Sequence, residues 1–386
     1  MRSSRAAIVA TSVAALQACS GGSSSGPPSG SNVVPITVNG SLCSAAPYPN
    51  KPCVSVTICS PGTSNCQTIS DVLLDTGSYG LRVFKQLLTV SLPPVTVASG
   101  ALAECVQYAD GSSDWGPIVT ADVVLGGEPA VRVPIQAVDS TYGSLPGACT
   151  NPDVSPATAL FNGILGVGVF AEDCGPGCAQ DAANGMYFAC SGAGCTGAAV
   201  ATATQVQNPV AHLTRDSNGV VVELPGVAAG GAVKVDGYLL LGIGTESNNS
   251  PSGAAAYPAD DLGNIATRLG GVTYSSYLDT GSNGLFFSPP APGITVCTSD
   301  PSWFCASPSV SLTATNSGAY GSPSGSVSFQ IGDYDTMSST NNVFPNLGGP
   351  SPTDFDWGLP FFLGRRVFFG IESRSSALGT GPYYAY

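Results

Sequence analysis

Two identical tetrapeptides, Asp-Thr-Gly-Ser, begin at Asp75 and Asp279, and each lies between two apolar runs. Two carboxylates at contact distance cannot both ionise, because their like charges repel. Such a pair holds one proton between two carboxyl groups, so that one group can act as a base while the other acts as an acid. The repeated motif therefore predicts an acid-base pair, provided that the fold brings its two copies together.

The duplication extends beyond the tetrapeptide, because further landmarks follow each copy at similar offsets. A period of this length is too long for a solenoid and indicates a repeat of whole domains. We therefore predict two homologous lobes, at residues 33–200 and 201–386. The shared landmarks are a glycine that closes a strand-like run (Gly126 and Gly332) and an apolar pair before glycine (Ile164-Leu165-Gly166 and Phe362-Leu363-Gly364).

The composition favours a turn-rich β protein. Only 10% of the 386 residues are charged, whereas the chain has 49 Gly and 31 Pro, and soluble domains usually have roughly 25% charged residues. Short runs rich in Val, Ile and Thr at 33–38, 54–59 and 119–125 predict strands, and 206–215 is the most plausible short helix. The net charge of -13 would repel a phosphate backbone, so we expect no nucleic-acid partner.

The N-terminus indicates export. Arg2 and Arg5 precede a short apolar stretch that ends in Leu16-Gln17-Ala18-Cys19, which is typical of a secretory signal. The last four residues resemble the lipobox of bacterial lipoproteins, which implies a signal over 1–19, lipidation of Cys19 and a place in the bacterial cell envelope, in the outer membrane, periplasm or cell surface. Ordinary signal cleavage nearby is the alternative. Residues 20–32, nearly all Ser, Gly and Pro, predict a flexible tether.

Twelve cysteines remain when Cys19 is set aside, and export to an oxidising compartment makes disulfides the expected state. Their spacing suggests three local pairs: Cys59 with Cys66, Cys43 with Cys53, and Cys297 with Cys305. Four more cysteines lie close together in sequence and leave zinc open as an alternative, although no histidine is near them. These four are Cys174, Cys178, Cys190 and Cys195.

Over residues 33–386 the chain resembles the bilobal, pepsin-like aspartic peptidases. In that family each lobe gives one Asp-Thr-Gly loop, and an apolar-apolar-Gly segment supports it; here Ile164-Leu165-Gly166 and Phe362-Leu363-Gly364 would take that part. The segment YADGSSDWG, which begins at Tyr108, resembles the flap that closes over a peptide substrate. Tyr108, Asp110 and Gly111 are therefore the expected flap residues.

The remaining motif residues have expected roles in holding the loops. Gly77 and Gly281 permit a tight loop and leave N–H groups free to donate to the carboxylates. The resemblance implies that Thr76 and Thr280 hydrogen-bond across the interface. It also implies that two hydroxyls, those of Ser78 and Ser282, donate to the carboxylates. The chain departs from the family after the first motif, where Leu81 and Arg82 replace the usual aromatic partner of the flap tyrosine.

The expected fold is thus mostly β, with two barrel-like lobes around a central cleft, and the expected function is that of an envelope-anchored aspartic endopeptidase. Asp75 and Asp279 would activate a water molecule against a peptide bond of a peptide or protein substrate, without metal or cofactor, in a monomer tethered to the membrane by its lipid. The alternative is a non-catalytic lipoprotein of the same fold that binds a protein or glycan in the cleft.

Overall fold

The computed structural model describes residues 27–44, 48–192, 194–289 and 293–386. The predicted lipidation site at Cys19, the signal over 1–19 and residues 20–26 of the predicted tether lie outside these ranges. The described residues form a mostly β protein, as the composition predicts. Its helical segments are two short α-helices, α1 (Pro156–Ala159) and α2 (Pro176–Gln180), and five 3-10 turns, Lys85–Leu87, Thr202–Thr204, Pro209–His212, Tyr334–Thr336 and Leu359–Phe362.

The described strands, in chain order, are β1 (Val33–Val38), β2 (Pro52–Cys59), β3 (Cys66–Asp75), β4 (Tyr79–Phe84), β5 (Thr96–Val97), β6 (Gly100–Gln107), β7 (Ser113–Val124), β8 (Val131–Val138), β9 (Gly163–Val167), β10 (Tyr187–Ser191), β11 (Gly194–Gly197), β12 (Gly219–Leu224), β13 (Val235–Leu241), β14 (Ala256–Pro258), β15 (Ile265–Leu269), β16 (Val272–Leu278), β17 (Leu285–Phe286), β18 (Cys305–Ser317), β19 (Ser324–Asp333), β20 (Gly348–Gly349), β21 (Asp354–Trp357), β22 (Arg365–Gly370), β23 (Ser375–Ser376), β24 (Gly379–Thr380) and β25 (Tyr383–Ala385). The three strands predicted from residue type correspond to β1, β2 and β7. The predicted helix over 206–215 shrinks to the 3-10 turn Pro209–His212.

Most strands belong to two sheets. The larger has sixteen strands in the order β11-β10-β6-β7-β8-β4-β9-β3-β2-β1-β13-β12-β22-β25-β14, with β5 beside β6, and the smaller has seven in the order β19-β18-β15-β16-β21-β17-β20. β23 and β24 form a separate pair. The larger sheet crosses the predicted lobe boundary at 200/201, because β1 pairs antiparallel with β13 from Val33 opposite Leu240 to Val38 opposite Val235. A backbone sheet therefore joins the two halves.

The two halves contain the same local strand arrangement. In the first, β9 lies between β3 and β4, parallel to β3 and antiparallel to β4, and β8 runs parallel to β4. In the second, β21 lies between β16 and β17, parallel to β16 and antiparallel to β17, and β20 runs parallel to β17. Each aspartate loop follows the first strand of such a set. The sequence repeat is thus also a repeat of strand pairing around the two motifs.

The strands that carry the aspartates are buried where they meet the loops. Every residue from Val72 to Asp75 is buried, because β3 lies between β2 and β9 and one main cluster of apolar side chains spans both halves. A strand with covered faces reads as a continuous apolar run rather than an alternating one. This explains the Val-Leu-Leu that precedes Asp75 and fixes the carboxylate on a rigid element.

Six disulfides cross-link the described residues. The three local pairs expected from spacing are confirmed: Cys43–Cys53, Cys59–Cys66 and Cys297–Cys305. The four clustered cysteines form Cys174–Cys178 and Cys190–Cys195, so the zinc alternative is wrong, because a thiolate engaged in a disulfide is not free to bind metal. The sixth bond, Cys105–Cys149, was not predicted, since the two residues lie far apart in sequence.

The predicted tether ends earlier than residue 32. Asn32 is 1% exposed, and its amide group donates to the Leu241 carbonyl oxygen at 3.1 Å. The Ser31 hydroxyl donates to Glu128 at 2.6 Å. These contacts fix Ser31 and Asn32 to the folded body. Among the described residues, no helix is long and apolar enough to cross a membrane.

Candidate active site

The two predicted aspartates meet in the structure. Asp75 is the last residue of β3, and Asp279 directly follows β16. The Gly77 N–H donates to Asp75 Oδ1 at 2.7 Å and also to Asp279 Oδ1 at 3.2 Å, so both carboxyl groups lie against one backbone amide. The Gly281 N–H donates to Asp279 Oδ1 at 2.7 Å. The amides of both motif glycines thus donate to the carboxylates, as predicted.

Gly77 and Gly281 allow the two loops to approach each other closely, because neither has a side chain. A Cβ atom at Gly77 would lie 2.6 Å from Asp279 Cγ, and one at Gly281 would lie 2.9 Å from Asp75 Cγ. Each loop therefore packs the backbone of its glycine against the carboxyl group of the other loop. A methyl group at either position would push the two carboxyl groups apart.

The predicted threonine contacts cross the interface symmetrically. Thr76 Oγ1 donates to the Leu278 carbonyl oxygen at 3.1 Å, and Thr280 Oγ1 donates to the Leu74 carbonyl oxygen at 2.7 Å. The Thr280 N–H also donates to Thr76 Oγ1 at 2.9 Å. Both threonines are buried. These three bonds hold the loops at a fixed separation.

We expect replacement of Thr76 by valine to destabilise the protein more than replacement of Thr280 by valine. The first change removes the side-chain hydrogen bonds of the Leu278 carbonyl group and the Thr280 N–H, whereas the second removes only that of the Leu74 carbonyl group. Each buried polar group left without a hydrogen bond lowers the free energy of unfolding by about 1–3 kcal/mol. Urea unfolding measures the difference in the free energy of unfolding. Thr57→Val is the control, because its hydroxyl bonds to Thr68 at the surface; equal losses in all three variants would contradict the cross-loop role.

The two motif serines are not equivalent, although both hydroxyls were expected to donate to the carboxylates. Ser282 Oγ donates to Asp279 Oδ2 at 2.8 Å, as expected. The prediction for Ser78 is wrong: its hydroxyl is buried without a hydrogen-bond partner among the described residues. The Ser78 N–H donates to Asp75 Oδ1 at 3.1 Å instead. Asp75 is therefore held by two backbone amides of its own loop.

The surroundings keep a proton on the pair. Burial, then the charge of Asp75, then the charge of Asp356 raise the pKa of Asp279 well above its usual value, against a smaller lowering by the Ser282 hydroxyl. Asp75 itself is 7% exposed. One carboxyl group of the pair therefore stays protonated at a pH where an isolated aspartate is ionised. This is the charge state that paired acid-base chemistry needs.

The support of the second loop differs from the predicted one. Beside the first loop, Asp75 pairs with Gly166 of the predicted segment Ile164-Leu165-Gly166. Beside the second loop, Leu278 pairs with Trp357, so that Gly358 comes next to Asp279. The predicted segment Phe362-Leu363-Gly364 is therefore wrong. It directly precedes β22, and Leu363 forms an isolated β-bridge with Leu224.

Both supporting glycines are required by close backbone contact. A Cβ atom at Gly166 would lie 2.5 Å from the Tyr79 nitrogen, and one at Gly358 would lie 2.0 Å from the Gly284 carbonyl oxygen. The sequence signal for the second was Asp356-Trp357-Gly358, which is not an apolar pair before glycine. Asp356 breaks the apolar pattern, so the sequence pattern alone does not identify this glycine as a support.

The predicted flap is the hairpin of β6 and β7, with its turn at Tyr108 to Ser112. Gly111 adopts a φ of +86°, a conformation that favours glycine. The exposed Asp110 carboxylate accepts from the Ser112 N–H at 2.9 Å and closes the turn. Tyr108 donates its hydroxyl to Asp114 at 2.9 Å, so a carboxyl group holds the tyrosine side chain.

Arg82, which follows the first motif, lies in a buried ionic cluster behind the flap. Its guanidinium contacts Glu104 at 2.9 Å and Asp173 at 2.8 Å, and all three side chains are at most 2% exposed. Tyr187 donates to Asp173 at 2.6 Å. Burial and then the charge of Glu104 raise the pKa of Asp173 well above its usual value. The cluster ties β4, β6 and the segment before α2 into one unit under the flap.

We expect the protein to lose stability as the pH rises from about 4 to 8, because burial raises the pKa of several carboxyl groups. Burial raises the pKa of Asp114 to about 7, that of Asp153 to about 6 and that of Asp356 to about 8. The folded state therefore binds more protons than the unfolded state over this range, and the free energy of unfolding falls with rising pH by about 1.4 kcal/mol per pH unit for each of these groups while it is protonated only in the folded state. Thermal unfolding across this range measures it.

The matched variant is Asp114→Asn, which cannot titrate. Its stability should fall less steeply with pH than that of the wild type, even if its stability at pH 4 is lower. A wild-type stability that is flat or that rises between pH 4 and 8 would contradict the raised pKa values.

Two tyrosines near the pair were missed by sequence reasoning. The Tyr48 hydroxyl donates to the Gly281 carbonyl oxygen at 3.1 Å. Burial, then the charges of Asp279, Asp110 and Asp75, raise its pKa. Tyr79 directly follows the first motif, and burial and then Asp75 raise its pKa. Position next to the motif could have identified Tyr79, whereas Tyr48 carries no signal in sequence.

A protein-family model with the description "Protein of unknown function (DUF3443)" matches residues 28–386. The matched range includes both aspartate loops, their supporting strands and the flap. No curated protein matches the chain.

Proposed function

This chain belongs to the DUF3443 family, and we propose that it is an aspartic endopeptidase with the bilobal pepsin-like fold. Support for the fold comes from the repeated strand pairing, in which β9 and β21 each insert beside an aspartate loop. Support for two lobes comes from the pairwise match of the loops and of the glycines behind them. The sheet that joins the halves through β1 and β13 would lie beneath the cleft.

One observation carries the functional proposal: the Gly77 amide lies within 3.2 Å of a carboxyl oxygen of both Asp75 and Asp279. Two carboxyl groups this close share one proton. The cross-loop threonine bonds keep the pair in one geometry before any substrate arrives, and catalytic groups are effective when they are held in this way. An ordinary turn that contained Asp-Thr-Gly-Ser would need no such partner.

The chemistry follows from the charge state of the pair. The ionised carboxylate takes a proton from a water molecule while the water oxygen attacks the carbonyl carbon of the scissile peptide bond. The protonated carboxyl group gives its proton to the carbonyl oxygen, which forms a neutral tetrahedral diol. On collapse, one carboxylate takes a proton from the diol and the other group protonates the leaving nitrogen. The C–N bond breaks, and the pair returns with one proton.

The flap and Tyr48 would shape the substrate site. Tyr108, fixed by its bond to Asp114, would close over an extended peptide and limit access of bulk water. Tyr48 would line the cleft between the loops and Asp110. The substrate is therefore a peptide or an extended segment of a protein, and the reaction uses neither metal nor cofactor.

We place this activity in the bacterial cell envelope. Lipidation of Cys19 would attach a monomer to the membrane, with residues 20–30 as the tether. The disulfides support an oxidising compartment, because such bonds persist outside the cytoplasm. The acidic charge of the chain speaks against nucleic acid as a partner.

An unbiased peptide library tests the proposal. The full-length protein is incubated with the library from acid to neutral pH, and new termini are identified by mass spectrometry. We expect cleavage within peptides, and inhibition by a peptide in which a tetrahedral hydroxyl carbon replaces the scissile carbonyl. A folded protein that leaves the library intact at every pH would contradict the proposal and would favour a cleft that binds a protein or glycan without cleaving it.

A further inference from the structure

A third carboxyl group lies beside the pair, at a position where the first half of the chain has an apolar residue. Asp356 precedes the supporting Gly358 by two residues, as Ile164 precedes Gly166. The strand registers confirm the correspondence, because Ile164 pairs with Leu73 on β3 and Asp356 pairs with Tyr277 on β16. The repeat therefore contains its own comparison: an apolar side chain supports the first loop, and a carboxyl group supports the second.

Asp356 is buried without an ionic partner. It is 5% exposed, and its Oδ1 atom has no hydrogen-bond partner among the described residues. No described Lys, Arg or His forms an ion pair with it. A buried carboxylate without a compensating cation is costly, and such a group keeps its proton instead.

The strand geometry directs Asp356 toward the pair. It lies between Tyr277 on β16 and Phe286 on β17, and side chains of residues paired across strands lie on the same face of a sheet. Asp279 comes two residues after Tyr277 and so continues that face. Four titratable groups interact electrostatically with Asp356. They are Asp279 and Asp75 in the loops, Tyr277 on β16 and Asp354 on the same strand as Asp356. The neighbouring strand β17 has no titratable residue, because it consists of Leu285 and Phe286.

Ser282 connects the third carboxyl group to the pair. Its hydroxyl donates to Asp279 Oδ2 at 2.8 Å. Burial raises the pKa of Asp356 to about 8, against a smaller lowering by the nearby Ser282 hydroxyl, which in the structure donates to Asp279 and not to Asp356. While Asp356 holds its proton, the serine hydroxyl is free to donate to Asp279. Once Asp356 ionises, its carboxylate competes for that hydroxyl and adds a negative charge beside the pair.

We propose that Asp356 is a positioning residue of the carboxyl pair. Neutral Asp356 leaves the Ser282 hydroxyl bonded to Asp279. When Asp356 loses its proton to solvent, its carboxylate draws this hydroxyl away from Asp279. The inference rests on the proposed peptidase function. It adds a second proton to the active state: one shared by Asp75 and Asp279, and one on Asp356. Activity then ends on the alkaline side when either proton is lost.

The slope of the pH profile tests this count of protons. With a cleaved peptide as substrate, log kcat of the full-length wild-type protein should fall on the alkaline side with a limiting slope of -2, because two protons are required. For Asp356→Asn, log kcat should fall with a slope of -1, whatever the value of kcat at the optimum, because an amide does not titrate. Asp356→Ile, which copies the first loop, should also give -1. The control Asp354→Asn removes a charge from the same strand and should keep -2.

Infrared titration gives a reading that does not depend on activity. In the Asp75→Asn/Asp279→Asn double variant at pH 7, we expect a protonated-carboxyl band whose area falls by the contribution of one carboxyl group when Asp356→Asn is added; the remainder comes from other buried carboxyl groups such as Asp114 and Asp173. A wild type that cleaves peptides with the same slope as Asp356→Asn would overturn the inference and leave the proposed function standing. If the wild type cleaves nothing, the proposed function fails, and the absence of an Asp356-dependent band would overturn the inference as well.

Discussion

Replacement of either aspartate by asparagine should abolish peptide cleavage. Asp75→Asn and Asp279→Asn each remove the group that shares the proton, so that the variant lacks either a base for the water molecule or the linked acid for the carbonyl oxygen. Proton transfer by positioned groups contributes up to about 10⁴-fold in rate, and we expect kcat to fall at least about 10³-fold in each variant. Cleavage of a peptide identified from the library, with product measured by mass spectrometry, checks this result.

The loss should be the same in the double variant, because the two carboxyl groups act as one unit and such losses are not additive. Asp181→Asn is the matched control, since Asp181 is an exposed carboxylate that accepts a backbone N–H in a turn outside both aspartate loops and the flap. It should retain cleavage within about tenfold, a small loss compared with the acid-base effect. Activity that survives in Asp75→Asn or Asp279→Asn would assign the chemistry to other residues.

A single methyl group at Gly77 should inactivate the protein without unfolding it. Its Cβ atom would lie 2.6 Å from Asp279 Cγ and 2.9 Å from both carboxylate oxygens of that residue, so the loops must move apart. A displacement of about 1 Å in a catalytic group costs about 10²-fold in rate. We expect Gly77→Ala to lower kcat at least about 10²-fold, and Gly281→Ala, with 2.9 Å to Asp75 Cγ, to act in the same direction.

Gly147→Ala is the control, because a Cβ atom at Gly147 would meet no atom within 4 Å. It should retain activity. Circular dichroism and thermal unfolding separate loss of geometry from loss of fold. If Gly77→Ala stays folded and cleaves at the wild-type rate, the close approach of the two loops is not needed for function.

The sequence predicts the parts of the site that depend on short motifs. Asp75 and Asp279, with the glycines and threonines that follow them, meet as expected because each motif forms a compact loop whose bonds are local or run to its copy. Local disulfides such as Cys59–Cys66 follow from the same reasoning, since a turn brings their strands together.

The parts that the sequence does not predict depend on contacts between distant residues. The apolar pattern predicts Gly364 as the second support, because Asp356 interrupts that pattern before Gly358. The Cys105–Cys149 bond joins residues that only the fold brings close. The Ser78 hydroxyl repeats Ser282 in sequence but not in its bonds: the backbone N–H of Ser78 donates to Asp75, whereas the side-chain hydroxyl of Ser282 donates to Asp279. Sequence symmetry thus extends to the backbone of the loops and not to every side chain.

The central claim is that Asp75 and Asp279 share one proton. Carbon-13 labelling of the aspartate carboxyl groups, followed by NMR titration of the full-length protein, measures this directly. We expect the pair to hold one proton at a pH where an isolated aspartate is ionised, and we expect Asp75→Asn to lower the pKa of Asp279, because a neighbouring like charge is removed. A titration curve of Asp279 that is identical with and without the Asp75 carboxylate would contradict the claim.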